Sequence, residues 1–265
     1  MSGGGLSAGD IAAAADVLAA AERDLVPVPP LTATFGPITP EEAYEIQLVN
    51  IRRRLDAGAT IAGHKVGLTS PAMQTLMGVY EPDYGHLLDD MVLPSGSTIP
   101  TAAMCQPRVE VEVAFVLARP LRGPGCTVDD VLAATDYVTG SIEVIDSRIA
   151  DWKLSLPDTI ADNASSGLVV LGADRHAPSE IDLRLNGVVL RRNGRLVETG
   201  ASGAVLGNPA VAVAWLADKL ASFGTTLDAG AVVMPGSCTA AVPVDAGDRF
   251  EAEFDHLGTV TVDFG

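Results

Sequence analysis

Residues 108–117 read Arg-Val-Glu-Val-Glu-Val-Ala-Phe-Val-Leu, an alternation that closes on an apolar run. Period-two alternation is the pattern of a β-strand, whose successive side chains leave opposite faces of the pleat. A strand over Val109–Leu117 sends Val109, Val111, Val113 and Phe115 to one face and Glu110 and Glu112 to the other. On both sides lie further short apolar runs punctuated by Gly, Pro and Asn. They predict strands at Ile61–Val66, Val138–Ile145, Gly167–Leu171, Ile181–Leu185, Val188–Leu190, Ala231–Met234, Arg249–Phe254 and Thr259–Phe264. Asn186-Gly187 and Asn193-Gly194 are hairpin-turn dipeptides and favour antiparallel pairing. Two helices interrupt the strands: Thr127 with Asp130 caps one, and Asn208-Pro209 opens another that ends at Gly224. Because strands and helices do not alternate regularly, a doubly wound parallel sheet is excluded in favour of an α+β fold with a mixed, mostly antiparallel core.

The first sixty residues have a different texture. Ser7 with Asp10 caps a helix reaching about Arg23. Thr39-Pro40-Glu41-Glu42 supplies a capping Thr, Pro at the first helical position and Glu at the third. That second helix runs to about Leu55, turns Ile46 and Val49 inward, places Arg52, Arg53 and Arg54 near its negative end, and stops at Gly58. Val26-Pro27-Val28-Pro29-Pro30 between them is extended. The expected organisation is a helical layer over 1–60 on a β domain over 61–265.

The chain has 265 residues, 48% apolar and 19% charged, which is globular composition with length enough for a substantial core. Its 17 Lys+Arg against 34 Asp+Glu give −17, a charge that phosphate backbones and anionic membranes repel. Nucleic acid and membrane are therefore excluded as partners. Cys105, Cys126 and Cys238 are odd in number and widely spaced, which argues against a disulfide framework or a cysteine zinc site. The Ala-rich start carries Asp10 and Asp16 and lacks a basic region, so it reads as a helix and not a secretory signal. No run approaches the roughly 18 apolar residues of a membrane span. A soluble, cytoplasmic protein is expected.

Glu110 and Glu112 on one strand face stand roughly 7 Å apart at about 3.4 Å per residue. They either converge on a cation or form an ordinary solvated face. A third acid, Glu143, sits inside the apolar run Gly140-Ser-Ile-Glu-Val-Ile-Asp146, where a lone carboxylate needs a partner. That partner is a metal ion or an arginine such as Arg148. Three carboxylates suit a hard octahedral cation, Mg²⁺ or Mn²⁺, and nothing here offers the His or Cys ligands that zinc prefers.

Lys65, in Gly63-His-Lys-Val-Gly67, sits in a short strand bracketed by glycines that admit close approach. It either pairs with a substrate carboxylate or acts in acid–base chemistry, or it lays its stem on apolar surface with its head in water. Glu81-Pro-Asp83-Tyr84-Gly-His86 reads as a turn-rich loop. Asp162, Asn163, Ser165 and Ser166 form a small-polar segment, and Gly236-Ser237-Cys238-Thr239 offers N–H groups and hydroxyls to a carboxylate. No nucleophile elbow, Walker loop, dinucleotide fingerprint or zinc-protease motif is present.

Three strings taken together, GHKVGLTSPAMQTLMGVYEPDYGHLLDDM (63–91), PRVEVEVAFVL (107–117) and IEVIDSRIADWKLSLPDTIADNASSGLVVLG (142–172), resemble the 2-keto-4-pentenoate hydratase family, part of the fumarylacetoacetate hydrolase superfamily. The closing GSCTAAVPVDAGD (236–248) extends the likeness, which runs from about Thr39 to the C-terminus. The resemblance implies a mixed β-roll or barrel with a helical N-terminal layer, and a Mg²⁺ or Mn²⁺ ion held by Glu110, Glu112 and Glu143. It places the family's catalytic lysine on Lys65 and its loop acid on Asp83, with Ser165, Ser166 and Ser237 at the substrate. It further implies hydration of 2-hydroxypenta-2,4-dienoate in the meta-cleavage catabolism of aromatic or steroid rings, with 4-oxalocrotonate decarboxylation as the alternative. Homo-oligomers, and association with a downstream aldolase or a sister decarboxylase, are the partners it suggests.

Overall fold

A computed structural model describes residues 5–70, 74–75 and 78–265. Pro71, Ala72, Met73, Leu76 and Met77 of the first quoted string lie outside the described residues, as do the first four residues of the Ala-rich start. The helices are α1 (Ala8–Asp24), α2 (Leu31–Phe35), α3 (Pro40–Asp56), α4 (Val128–Ala134), α5 (Leu156–Ala161) and α6 (Pro209–Ala221). The strands are β1 (Ile61–Gly67), β2 (Asp83–Leu88), β3 (Val92–Pro94), β4 (Ser97–Ile99), β5 (Arg108–Leu117), β6 (Thr135–Ile145), β7 (Ser166–Leu171), β8 (Gly187–Arg192), β9 (Arg195–Ala201), β10 (Val232–Met234), β11 (Val242–Pro243), β12 (Arg249–Phe254) and β13 (Gly258–Phe264). Capping boxes at Ser7/Asp10, Thr39/Glu42 and Thr127/Asp130 start α1, α3 and α4 where the sequence predicts.

One sheet runs β2-β1-β10-β5-β6-β7-β3, with β11 also pairing β5, and the other runs β4-β13-β12-β8-β9. Parallel pairs occur at β1–β10, β13–β4 and β3–β7, and the remaining pairs are antiparallel. Both sheets end on open edges, so the expected roll or barrel is a roll of two sheets and no closed barrel forms. The Val109, Val111, Val113 and Phe115 face of β5 is fully buried in one core with Phe250, Ala252 and Val262 of the second sheet. The same core takes in Ile11, Ala14 and Leu18 of α1 and Ile46 of α3, so the helical layer is held by apolar burial. Gly140 of β6 lies under the Phe254 ring, and a Cβ there would overlap it. Among the described residues no helix is long and apolar enough to cross a membrane.

Three expectations are corrected. Residues 83–88 are a fully buried strand and not a loop, because pairing with β1 along its length overrides the turn propensity of Pro82, Asp83 and Gly85. Ile181–Leu185 is not a strand, since the Asp182 carboxylate captures the Arg184 N–H and bends the chain into a turn. Asn186-Gly187 is consequently no hairpin: Asn186 turns inward, its N–H donating to the Ser202 hydroxyl and its amide to the Asp255 carbonyl. Asn193-Gly194 does make the β8–β9 hairpin, with φ of 53° and 76°.

Candidate metal centre and active site

The register of β5 against β6 sets Glu110 directly opposite Glu143 and Glu112 opposite Ser141. Like charges in directly opposed positions destabilise a sheet unless something sits between them. Here Glu110, Glu112 and Glu143 each bring a carboxylate oxygen to within 4.8 Å of one another, a spacing that one cation can bridge. Glu112 and Glu143 are each only 1% exposed. Glu112 Oε2 accepts the Gly236 N–H at 2.8 Å, while neither Glu143 oxygen accepts a well-directed hydrogen bond. Gly236 arrives there because β10 and β11 pair with opposite ends of the same edge of β5, leaving residues 235–241 to arch over the gap.

Lys65 comes from the other side. On β1 it lies opposite Gly85 of β2, and its Nζ stands 3.4 Å from Glu143 Oε1 and donates to the Ala164 carbonyl at 3.0 Å. Asp83 pairs across from Gly67, whose missing side chain leaves room for the carboxylate; a Cβ at Gly67 would overlap it. Arg148, the other partner that the sequence offers Glu143, instead binds Asp162 through its Nε. The group thus comprises four carboxylates, of which Glu110 is half-buried and Glu112, Glu143 and Asp83 are buried, and one buried ammonium, an excess of negative charge that a divalent ion would offset.

Proton affinities reflect that excess. Burial, reinforced by Glu143, pushes Glu110 up to about 7. Burial and then the neighbouring Glu143 and Glu110 raise Glu112 well above the carboxylate range. Asp83 is raised by burial against the opposing pull of Lys65. For Lys65, burial opposes the charge, but Glu143, Glu110, Asp83 and Glu112 outweigh it and hold the ammonium above its usual range. Orphaned buried oxygens on Glu143 and a donor set made wholly of carboxylates fit a hard divalent ion.

Lys65, Asp83 and Glu110 of this group line a cavity of about 770 Å³, together with Ser165, Ser237, Arg108, Trp152 and Leu154. Ser237 Oγ donates to the Thr239 carbonyl at 2.9 Å. The structure does not bring Ser166 to this cavity: its hydroxyl donates to the Asn163 carbonyl at 2.7 Å and borders a second cavity of about 310 Å³, away from Glu110, Glu112 and Glu143. It is turned away because Ser166 begins β7, where consecutive residues alternate faces. Two contributors escape sequence reasoning. The Ala164 carbonyl is a backbone atom with no side-chain signature. Arg108 looks like the solvated start of a strand, yet it shares the Glu110 face and stacks on Trp152 at 4.5 Å.

Behind β1, on the face opposite Lys65, His64 and His86 pack with ring centroids 4.9 Å apart, and neither His64 nitrogen has a hydrogen-bond partner. Burial, with His86 adding to it, depresses His64 to about 3, and burial depresses His86 to about 4. The folded chain refuses protons that the unfolded chain takes up below about pH 6.5, so these residues cost stability as pH falls from 6.5 toward 4. His64→Phe is expected to recover on the order of 2 kcal/mol at pH 5 relative to pH 8. Urea titrations at both values check it, and an unchanged pH difference rules it out.

The family model for the fumarylacetoacetate (FAA) hydrolase C-terminal region matches residues 78–264. The chain belongs to the fumarylacetoacetate hydrolase family. Within it, the chain is 44% identical to 2-keto-4-pentenoate hydratase from Paraburkholderia xenovorans strain LB400, over 90% of this chain and 88% of that one. It is 49% identical to a 2-hydroxypent-2,4-dienoate hydratase from Pseudomonas putida, over 74% of this chain and 89% of that one. The solved structure of 4-oxalocrotonate decarboxylase from Pseudomonas putida G7, complexed with magnesium and adipate, superposes with a TM-score of 0.94 at 41% identity, covering 98% of this chain and 99% of that one.

Proposed function

We propose that this chain is a divalent-metal-dependent hydro-lyase that adds water to 2-hydroxypenta-2,4-dienoate (2-keto-4-pentenoate), giving 4-hydroxy-2-oxopentanoate. The observation that carries the reading is the meeting of Glu110, Glu112 and Glu143 with Lys65 and Asp83 at one wall of a cavity. Glu110, Glu112 and Glu143 would hold Mg²⁺ or Mn²⁺. When bound, such an ion supplies Lewis acidity to the carboxylate and C2 oxygens of a 2-oxo acid, stabilising charge that develops at C2.

The chain's own residues handle protons and position. Lys65, kept protonated by the surrounding acids, faces the developing enolate charge and supplies a proton to the distal carbon. The C2 hydroxyl loses its proton in the same tautomerisation, leaving an α,β-unsaturated ketone. Asp83, whose affinity for protons burial has raised, then accepts a proton from water as its oxygen bonds to C4. Asp83 then passes that proton to C3 to complete the addition, and the proton released from the C2 hydroxyl restores the Lys65 ammonium, so both groups return to their starting state. Ser165 and Ser237 line the cavity where the substrate carboxylate would lie, and Leu154 and Trp152 give the hydrocarbon chain an apolar wall.

Hydratase names outnumber the decarboxylase among the relatives, which supports hydration. Arg108 favours the second reading, decarboxylation of 4-oxalocrotonate, because that substrate's second carboxylate calls for a cation. Arg108 lines the cavity and stacks on Trp152, with the Glu110 carboxylate acting on its charge. Ultraviolet absorbance of each freshly made substrate, with and without Mg²⁺, separates them. Metal-dependent decay of the hydroxydienoate without release of carbon dioxide is expected, whereas decay of oxalocrotonate alone, with gas release, would assign the decarboxylase. We further read residues 61–265 as the catalytic β-roll and 1–60 as its helical layer. The setting is cytoplasmic catabolism of aromatic or steroid rings, by a homo-oligomer that associates with a downstream aldolase or a sister decarboxylase.

A further inference from the structure

Three consecutive non-glycine residues, Asn163, Ala164 and Ser165, have φ of 53°, 51° and 53°. Left-handed backbone is unfavourable for residues with a Cβ, so a run of three persists only where the surroundings over-determine it. Two sets of contacts do so here.

From one side the turn is gripped by Arg148, itself 7% exposed. Its Nη1 donates to the Ser166 carbonyl at 3.0 Å and to the Asp146 carbonyl at 2.6 Å, and its Nη2 donates to the Asp162 carbonyl. Its Nε and its own backbone N–H both reach the Asp162 carboxylate. One guanidinium thereby holds both ends of the left-handed run. From the other side the Asn163 amide exchanges two hydrogen bonds with the His86 backbone, accepting at 2.7 Å and donating at 2.9 Å. Gly85 makes that approach possible, since a Cβ there would overlap the Asn163 carbonyl and crowd the Ser166 hydroxyl. Gly85 is also the residue directly opposite Lys65 in the β1–β2 ladder. The turn therefore occupies the space a side chain at 85 would fill, and it presents the Ala164 carbonyl to Lys65 Nζ at 3.0 Å.

We propose that Arg148 is a positioning residue for Lys65: by clamping the ends of the left-handed turn it fixes the Ala164 carbonyl, and the carbonyl aims the ammonium at Glu143 and the cavity. The proposal rests on the reading of Lys65 as the acid–base group given above. A displacement of the order of 1 Å at such a group costs up to about a hundredfold in rate. Arg148 touches neither the carboxylate trio nor the main cavity, so its loss reaches the site only through the turn: chiefly through the Ala164 carbonyl that holds Lys65, and secondarily through Ser165 at the cavity wall, whose displacement would show in KM.

The test measures kcat, KM and Mn²⁺ affinity for Arg148→Lys in the wild-type and in the Lys65→Met background. Expected is a roughly 30-fold fall in kcat, with KM and Mn²⁺ affinity within threefold of wild type, and less than threefold further loss once Lys65 is gone. An equal 30-fold loss in both backgrounds, or metal affinity falling in step with kcat, overturns the assignment. Gly85→Ala, which pushes the turn instead of loosening it, is expected to give the same pattern and carries the test if Arg148→Lys does not fold. If Lys65→Met is itself fully active, the acid–base reading falls and takes this proposal with it. A strongly slowed but still measurable Lys65→Met combined with additive losses sinks the positioning role alone.

Discussion

Glu112→Gln is expected to lower turnover about 10³-fold and to weaken Mn²⁺ binding by a hundredfold or more, while raising the thermal stability of the metal-free protein. The first two effects follow from losing one of three anionic ligands at an ion that stabilises charge in the transition state, a contribution of several kcal/mol. The third follows from the buried charge. Glu112 is 1% exposed, close to Glu110 and Glu143, and already raised in proton affinity by burial. A neutral amide of the same shape keeps the hydrogen bond from Gly236 and removes an ionisable group whose charged form burial and its like-charged neighbours disfavour, which favours the metal-free fold. Steady-state kinetics and melting in chelator check both halves. An inactive variant that melts lower would mean that Glu112 is a structural residue.

Lys65→Met reverses the sign of the stability effect. The ammonium is the one cation within ion-pair distance of Glu143 among the described residues, and removing half of a buried pair costs about 3–5 kcal/mol because the remaining charge is stranded. Melting in chelator is expected to fall, and saturating Mg²⁺ to restore part of the loss by binding only the folded chain. Turnover is expected to drop about 10²–10⁴-fold, the range for removing a group that transfers a proton in the transition state. Retained Mn²⁺ affinity together with lost turnover separates this role from that of a ligand. A variant that keeps its turnover would leave Lys65 as a charge-balancing residue only.

The sequence makes the carboxylate trio visible because strand periodicity is short-range physics: Val-Glu-Val-Glu-Val states which residues share a face before any partner is known. It cannot state that Glu110 lies opposite Glu143, since register depends on the Thr135–Ile145 strand meeting Arg108–Leu117 across a long helical connection. The caps at Ser7, Thr39 and Thr127 are equally readable, each being a contact three residues long. Asp83–Leu88 is hidden because its turn-forming residues are overruled by a neighbour sixteen or more positions away, where Gly67 and Gly85 open the space. Arg148 and Asp162 lie in plain view, but beyond their side-chain pair the guanidinium holds the turn through the Asp146, Asp162 and Ser166 carbonyls, which no residue type announces. The direction of Ser166 is hidden for a related cause: the strand begins on it, and its hydroxyl follows the pleat away from the main cavity.

The proposed chemistry depends on three carboxylates, Glu112 and Glu143 buried and Glu110 half-buried, sharing one hard cation. Electron paramagnetic resonance of free Mn²⁺, titrated with the intact protein, counts that ion without reference to turnover. One Mn²⁺ per chain is expected for the wild type, with the affinity falling by a hundredfold or more in each of Glu110→Gln, Glu112→Gln and Glu143→Gln. Undiminished binding in a chain carrying all three substitutions, or no binding by the folded wild type, would contradict it.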